Sequence, residues 1–273
     1  MISKQTSRKW SIMSLVLSLA LTFAFTISCS FPEADTKLSV FAAAGAKPAI
    51  DEICAQFTEK YGTEIEINYG GGGEVLSRMV LAKSGDVYIA PEQKFIDSAV
   101  EKQAIKGETI KNLAYMVPVI AVPRENPKQI TCLSDLAKPG IRVAITRPET
   151  TLLGKFAPEI FEKAGLSAAI EKNTVTTASD PNNLLTMLLM GSIDGGITWN
   201  FYGTSASDKI EIIFLSPEQL TGIGEMQAAV SAYSKNNGTA LRLIDFLTSS
   251  QSKEIFKKHG YITNAEEVKK YWR

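Results

Sequence analysis

Histidine is almost missing from this sequence of 273 residues, which contains only His259. A Ser-His-Asp triad or a histidine-based metal site would depend on that residue, and no candidate nucleophile lies beside it. The sequence also lacks a GxSxG elbow, a Walker A loop and a GxGxxG fingerprint. We therefore expect a binding protein with no catalytic residue and no cofactor, and an enzyme or sensor is the alternative class.

An excess of charge of either sign is missing as well. The 29 basic residues balance the 29 acidic ones, and no basic stripe alternates with aromatic residues. This excludes a nucleic-acid surface and a polybasic membrane patch as the basis of function. Any bound anion must then be held by local dipoles or by a few side chains.

The first 36 residues do not have the pattern of a folded domain. Three basic residues are followed by an apolar stretch at 12–27, and the small Ser28 precedes Cys29. This pattern is typical of a secretory signal peptide over residues 1–28, and Cys29 stands where a bacterial lipobox places its lipidated cysteine. We expect a lipid anchor to the membrane at Cys29, a linker over 29–36 and a body outside the cytoplasm, in the periplasm or at the cell surface. An uncleaved membrane anchor is the alternative.

Cysteine is scarce, and only two cysteines are left once Cys29 is assigned to lipidation. Cys54 and Cys132 could form a disulfide in an oxidising compartment. However, Cys54 lies on the apolar face of a predicted helix, where a free thiol packs as a small hydrophobic group. We therefore expect two free thiols.

Strands and helices alternate from residue 37 onward. Hydrophobic periodicity predicts two units of the order βαβαβ. The first unit has strands at 37–41, 64–69 and 86–90 and helices at 47–61 and 74–82. The second has strands at 141–145, 173–176 and 195–199 and helices at 181–190 and at 152–163, the latter interrupted at Pro158. This order predicts parallel sheets flanked by helices, with ligands at the carboxyl ends of the strands.

Two apolar runs, at 115–122 and 210–215, connect the units. Their positions indicate that the chain leaves the first unit and later returns to it. We therefore predict a two-lobed α/β fold in which each lobe is a mostly parallel sheet flanked by helices, with two crossing hinge strands. Lobe one is expected at residues 37–119 plus 217–273, and lobe two at 120–216.

Four predicted helices begin directly after a strand, and in such a fold their amino termini converge on the cleft between the lobes. They follow Ala44-Gly45, the four glycines at 70–73, Thr150-Thr151 and Asp180-Pro181. Helix amino termini present free N–H groups and a partial positive charge, so they can hold an anion without lysine or arginine. We expect that Gly72→Val weakens ligand binding more than folding. A plain strand-to-helix connector is the alternative role for the glycines.

Six segments resemble successive motifs of one family, the molybdate-binding proteins of ABC transporters. The segments are FAAAGAKPAIDEICAQFTEKYG, NYGGGGEVLSRM, GDVYIAPEQKFIDSAVEKQAI, CLSDLAKPGIRVAITRPETTLLGKFAPEIFEKAG, MGSIDGGITW and IDFLTSSQSKEIFKKHGY. They cover nearly all of residues 37–261 in the same order. The resemblance implies the type II periplasmic-binding-protein fold and a tetrahedral oxyanion, molybdate or tungstate, bound between the lobes. It also implies an ABC permease and its ATPase as partners.

The resemblance assigns ligand contacts residue by residue. The first contact of the family, usually a serine, falls on Gly45, and a serine-rich loop falls on the glycines at 71–73. A small residue after the third strand falls on Ala90 or Pro91, and a tyrosine near the end of lobe two falls on Trp199. Together with the helix starts, the candidate contacts are Ala44, Gly45, Gly71, Gly72, Gly73, Ala90, Pro91, Thr151, Leu153, Pro181 and Trp199.

This sequence departs from the family pattern at the contacts that would carry hydroxyl groups. Gly45 and the glycine loop have no side-chain donor, and Trp199 offers an indole N–H in place of a phenol. Sulfate, phosphate, a metal cation or an organic acid therefore stay open as ligands. Glu74 and Glu149 are expected near the cleft as exposed acids, and a metal is expected only as the centre of the oxyanion.

Overall fold

The computed structural model describes residues 37–272, so the predicted signal peptide, the linker and Cys29 lie outside the described residues. Within 37–272, no helix has both the length and the apolar character needed to cross a membrane. The strands are β1 Lys37–Ala43, β2 Glu64–Gly70, β3 Val87–Ala90, β4 Lys111–Met116, β5 Pro118–Pro123, β6 Val143–Thr146, β7 Thr174–Ala178, β8 Gly195–Trp199, β9 Ile210–Phe214 and β10 Gly224–Val230. The α-helices are α1 Lys47–Tyr61, α2 Gly72–Ala82, α3 Gln93–Glu101, α4 Leu152–Lys163, α5 Ser167–Asn173, α6 Pro181–Leu189, α7 Tyr202–Ser205, α8 Asn237–Leu247, α9 Ser250–Lys258 and α10 Ala265–Val268. Short 3-10 turns lie at Ala44–Ala46, Gly107–Thr109 and Leu133–Ala137.

The strands form two five-stranded sheets of matching design. The first has the order β2-β1-β3-β10-β4 and the second the order β7-β6-β8-β5-β9. In the first sheet β10 runs antiparallel to both of its neighbours, and in the second β5 does so. The other strand pairs are parallel, so the prediction of mostly parallel sheets is confirmed. Lobe one is the first sheet with its flanking helices, and lobe two is the second sheet with its own.

The chain passes from the first sheet to the second at Val117. The apolar run predicted at 115–122 is therefore two strands, because β4 ends and β5 begins on either side of this residue. The Asn200 side chain accepts the Val117 N–H at 2.8 Å, and the Asn200 N–H donates to the Val117 carbonyl at 3.0 Å. These two bonds fix the first passage, and the return passage is the connection 215–223 between β9 and β10.

Local sequence explains how β1 leads into the cleft. Its residues from Val40 onward are buried, as expected of a central strand covered on both faces. The strand leads into the turn Ala44–Ala46 and then α1, whose buried positions Ile50, Ile53, Cys54 and Phe57 have the spacing of one helix face. Helix α1 ends at Gly62, which has φ 69 and can adopt this left-handed conformation without strain.

Helix α4 corrects one local prediction. The interruption expected at Pro158 is wrong, because the helix continues from Leu152 to Lys163 with Pro158 inside it. Proline removes one backbone donor and costs helix stability. Packing compensates for that loss, since Ala157, Ile160 and Phe161 beside it are buried.

The two cysteines in the described part of the chain are free, as expected. Cys54 is buried and Cys132 is exposed. Burial raises the pKa of the Cys54 thiol to about 12, so this thiol is an unreactive part of the core.

Candidate ligand-binding cleft

A cavity of about 700 Å³ lies between the two lobes. All of the candidate contact residues line it except Ala90 and Leu153, whose side chains are fully buried in the cores. Glu74 and Glu149 also line it, and both are exposed. The structure thus brings the four predicted helix starts to one place.

The two lobe-one helices whose predicted starts lie at the cleft, α1 and α2, have no side-chain cap at their N-cap residues. Neither Ala46, the N-cap of α1, nor Gly71, the N-cap of α2, provides a side-chain hydrogen bond to its helix. In α1 the Lys47 N–H is accepted by the Ala44 carbonyl of the preceding turn, and Pro48 has no N–H. The first-turn N–H groups of α2 have no such partner within the helix and must find acceptors outside it. Glu74 supplies one acceptor to the Gly71 N–H, at 3.2 Å.

Close packing requires a glycine at position 72, whether or not a ligand binds there. A Cβ added there would lie 2.5 Å from Cε2 of Phe95 and 2.7 Å from Cγ of Pro91. At Gly73 the nearest atom of Phe95 would be 3.5 Å away, which is an ordinary contact. The expectation that a side chain at position 72 would disturb binding more than folding therefore needs revision, because it would also disturb this packing.

In lobe two, the N-cap side chains of α4 and α6 cap the starts of these helices. The Thr151 hydroxyl accepts the Gly154 N–H of α4 at 2.9 Å. The Asp180 carboxylate accepts the Asn183 N–H of α6 at 3.0 Å. Part of the donor capacity of these helices is thus used internally.

A buried carboxylate that the sequence analysis did not single out lies in the same cleft. Glu92 is 4% exposed, and its Oε2 accepts the Leu152 N–H at the start of α4 at 2.9 Å. The Trp199 side chain also hydrogen-bonds to this carboxyl group, and the Lys94 ammonium is 3.9 Å away. Burial raises the pKa of Glu92, and these partners offset the rise only in part. The sequence signal for Glu92 was the position of this acidic residue directly after Pro91, because Pro91 was a candidate contact.

The charged side chains that line the cavity are all acidic within the described part of the chain: Glu74, Glu92, Glu149 and Asp180. Three of them have partners. Asp180 caps α6, Glu92 accepts from α4, and Glu74 accepts the Gly71 N–H and lies 3.7 Å from the Arg78 guanidinium. Backbone N–H groups are thus the main source of positive potential in the cleft.

Aromatic side chains form one wall of the cavity. Trp199 is buried and packs edge-on against Phe156, with ring centroids 6.4 Å apart. Tyr202 lies three residues further on, and its hydroxyl donates to the Asn182 side-chain oxygen at 2.9 Å. A phenol, which the family resemblance had placed at Trp199, is thus present in this wall at Tyr202, although its hydrogen is donated to Asn182. The sequence signal for Tyr202 was its position three residues after Trp199, at the start of the short helix that follows β8.

Metal-ligating side chains do not cluster in this structure. Residues 37–272 contain no group of three or more His, Cys, Asp or Glu side chains that could hold a metal ion. The arrangement is instead one of helix amino termini, a buried carboxylate and aromatic side chains around a cavity between two lobes. That arrangement defines a two-lobed α/β binding protein.

Comparison with known proteins agrees with this class. The model of the family described as bacterial extracellular solute-binding protein matches residues 38–262. The chain belongs to this family, so it is a binding protein that acts outside the cytoplasm and not an enzyme, as the sequence predicted.

Individual relatives are similar over nearly the whole chain. A putative binding protein of Haemophilus influenzae is 27% identical over 89% of this chain and 97% of its own length. The molybdate-binding protein ModA of Escherichia coli is 26% identical over 93% of this chain and 98% of its own. Among solved structures, PEB3 of Campylobacter jejuni with L-phospholactate bound has a TM-score of 0.73 at 19% identity, covering 83% of this chain and 100% of PEB3. The fold is that of the type II periplasmic binding proteins, as predicted.

Proposed function

We propose that this chain is the solute-binding component of an ABC importer and that it binds a tetrahedral oxyanion, molybdate or tungstate, in the cleft between the lobes. The observation that carries the proposal is that the start of α2 and the turn Ala44–Ala46 before α1 have no side-chain caps and lie at a cavity whose described lining has no basic side chain. Such N–H donors suit a proton-free dianion. The molybdate-binding relative of Escherichia coli supports the choice of ligand.

The proposed contacts divide between the lobes. Lobe one offers the backbone at Ala44, Gly45, Gly71, Gly72 and Gly73 and the apolar ring of Pro91. Lobe two offers Thr151, the ring of Pro181 and the aromatic rings of Trp199 and Tyr202, whose polar hydrogens are donated to Glu92 and Asn182. Ala90 and Leu153 could contribute only through their backbone, since their side chains are buried away from the cavity. Closure of lobe two onto lobe one would then complete the site before the protein docks on the permease.

The proposal includes an anchored mature protein. Cleavage after residue 28 would leave Cys29 as a lipidated first residue that keeps the protein at the membrane beside its permease and ATPase. Mass spectrometry of the mature amino terminus tests this, together with the distribution of a Cys29→Ala variant. A wild-type amino terminus without lipid would reject the anchor and leave the binding proposal untouched.

A larger organic anion is the second candidate ligand. A cavity of about 700 Å³ falls in the range that holds small organic molecules, and its aromatic wall would suit the carbon skeleton of such a ligand. The structural relative PEB3 has been solved with L-phospholactate. A phosphorylated organic acid would keep the anionic group at the helix starts and place its carbon atoms against Trp199.

A thermal-shift screen of residues 29–273 followed by calorimetry distinguishes these ligands. We expect molybdate or tungstate to stabilise the protein at low micromolar concentration. A ligand at a hundred times its Kd adds about 2.7 kcal/mol to the free energy of unfolding. Sulfate and phosphate should stabilise it weakly, because sulfate is smaller and phosphate carries a proton at neutral pH. An equal shift with sulfate or phosphate would contradict the ligand assignment, and a shift with phospholactate alone would favour the second candidate.

A further inference from the structure

The side chain of Glu92 reaches from lobe one to lobe two. Glu92 is the N-cap residue of α3, yet its side chain does not cap that helix. It crosses the cleft, and its Oε2 accepts the N–H of Leu152, the first residue of the twelve-residue helix α4. A buried carboxylate thus already lies at the amino terminus of a cleft helix.

This contact uses the kind of donor that an oxyanion needs. Helix amino termini stabilise negative groups through their free N–H bonds and the helix dipole. The Leu152 N–H cannot serve two acceptors at full strength, and a dianion beside an ionised carboxylate would be repelled. An anion that uses the start of α4 must therefore displace Glu92 or meet it in its protonated form.

We propose that Glu92 is an internal competitor for the anion site and sets how tightly the cleft binds proton-free dianions. The inference rests on the proposed function, because it takes the ligand to be an anion at the helix starts. It makes Glu92 a specificity-determining residue of the cleft. Removal of its charge favours the binding of dianions, whereas a protonated ligand can donate its proton in a hydrogen bond to the Glu92 carboxylate.

The charges around Glu92 do not cancel this effect. Lys94 is the nearest cation, 3.9 Å from Oε2, and burial lowers the pKa of its own ammonium group. The other titratable groups that face this region are Lys155 on α4, Tyr202 on α7, and Glu74, Glu149 and Asp180 around the cavity. Burial raises the pKa of Glu92, so an arriving dianion is expected to increase its protonation further.

Calorimetry in two buffers of different ionisation enthalpy tests the proposal on residues 29–273. The proteins are wild type, Glu92→Gln and a matched control, Glu101→Gln, in which the exposed last residue of α3 loses the same charge away from the cavity. We expect wild type to take up protons when molybdate or sulfate binds. The Glu92→Gln variant should bind both anions about tenfold or more tightly with less proton uptake. The Glu101→Gln variant should match wild type.

Two outcomes would overturn the inference: equal or weaker anion binding by Glu92→Gln, or the same proton uptake in both proteins. The second needs no assumption beyond a folded variant, which a melting curve checks. If none of the proteins binds any oxyanion, the proposed function fails, and amide exchange at Leu152 then decides about Glu92 separately. Faster exchange of this amide in Glu92→Ala than in wild type supports occupation of the donor by Glu92, and unchanged exchange overturns it.

Discussion

The two lobes start their cleft helices in opposite ways. In lobe one, α1 and α2 begin after Ala46 and Gly71, which offer no side-chain cap. In lobe two, Thr151 and Asp180 cap α4 and α6. The difference indicates that the two lobes have different roles, because N–H groups without a side-chain cap stay open to water or a ligand unless a neighbouring group accepts them, as Glu74 accepts the Gly71 N–H. Lobe one would thus hold the anion. Lobe two, whose helices α4 and α6 are capped by their own side chains, would close over it.

Glu92 sharpens this contrast. It follows the last strand of the first βαβαβ unit and belongs to the lobe in which α1 and α2 start without caps, but its carboxylate binds a helix of the other lobe. The start of α4 therefore has two internal acceptors, Glu92 for Leu152 and Thr151 for Gly154. Little donor capacity is left there for a ligand while both contacts persist.

The largest expected effect is at the glycine loop. Gly72→Val should lower the free energy of unfolding by about 1–3 kcal/mol, the usual cost of overpacking, because its Cβ would collide with Phe95 and Pro91. Binding should weaken as well, since the loop backbone would move. Urea unfolding and calorimetry measure the two effects.

Gly73→Ala is the matched control for that substitution, because its Cβ meets Phe95 at 3.5 Å. Its stability should stay within about 0.5 kcal/mol of wild type. If Gly72→Val were equally stable, the tight packing of the loop against α3 would be refuted. If it bound ligand normally, lobe one would not be the anion-holding half.

A hydroxyl placed in lobe one gives the next effect. Gly45→Ser should increase oxyanion affinity about tenfold, since a hydrogen bond to a charged group contributes about 1.5–3 kcal/mol. The position accepts a side chain, because a Cβ there lies 3.5 Å from the Tyr202 hydroxyl oxygen and 3.7 Å from Cζ of Phe201. Gly45→Ala separates the donor from the added volume. Equal affinity for the serine and alanine variants would place the anion away from this turn.

Removal of a cap in lobe two has a smaller, structural effect. Thr151→Ala deletes the acceptor of the Gly154 N–H and the hydrogen bond between the Thr151 and Thr146 hydroxyls, 2.7 Å apart. We expect a loss of about 1 kcal/mol in the free energy of unfolding. Thermal and urea unfolding measure it, and Thr151→Ser, which keeps the hydroxyl, should restore most of the loss. A large loss of affinity at unchanged stability would show instead that Thr151 binds the ligand directly.

Sequence periodicity predicted the architecture well because each strand and helix carries its own pattern. The glycine loop and both capped helix starts were also readable, since caps and turns use characteristic residue types. Glu92 and Tyr202 were not found, because their positions beside Pro91 and β8 mark only a neighbourhood, whereas their roles depend on contacts with Leu152 and Asn182 that are distant in sequence. Pro158 was misread for a related reason: burial of Ala157, Ile160 and Phe161 outweighs the local preference of proline.

The smallest expected effect is a change in the pH dependence of stability, and it tests whether Glu92 differs from an ordinary acid of lobe two. Burial raises the folded pKa of Glu92 above its unfolded value of about 4.3. The folded protein therefore holds this proton more tightly, and the contribution of Glu92 to stability falls as pH rises from the unfolded to the folded pKa. Asp135 behaves in the opposite way, because Lys138 and the Thr131 N–H hold its pKa well below the usual range. Its contribution to the free energy of unfolding is therefore lost as pH falls.

Urea unfolding over this acidic range measures both effects. The free energy of unfolding of Glu92→Gln should exceed that of wild type by an amount that grows with pH, and that of Asp135→Asn should fall below wild type by an amount that shrinks as pH falls. Parallel curves for wild type and Glu92→Gln would mean that the carboxylate is as well stabilised in the cleft as in water, which would remove the electrostatic cost that distinguishes this contact from the caps of lobe two.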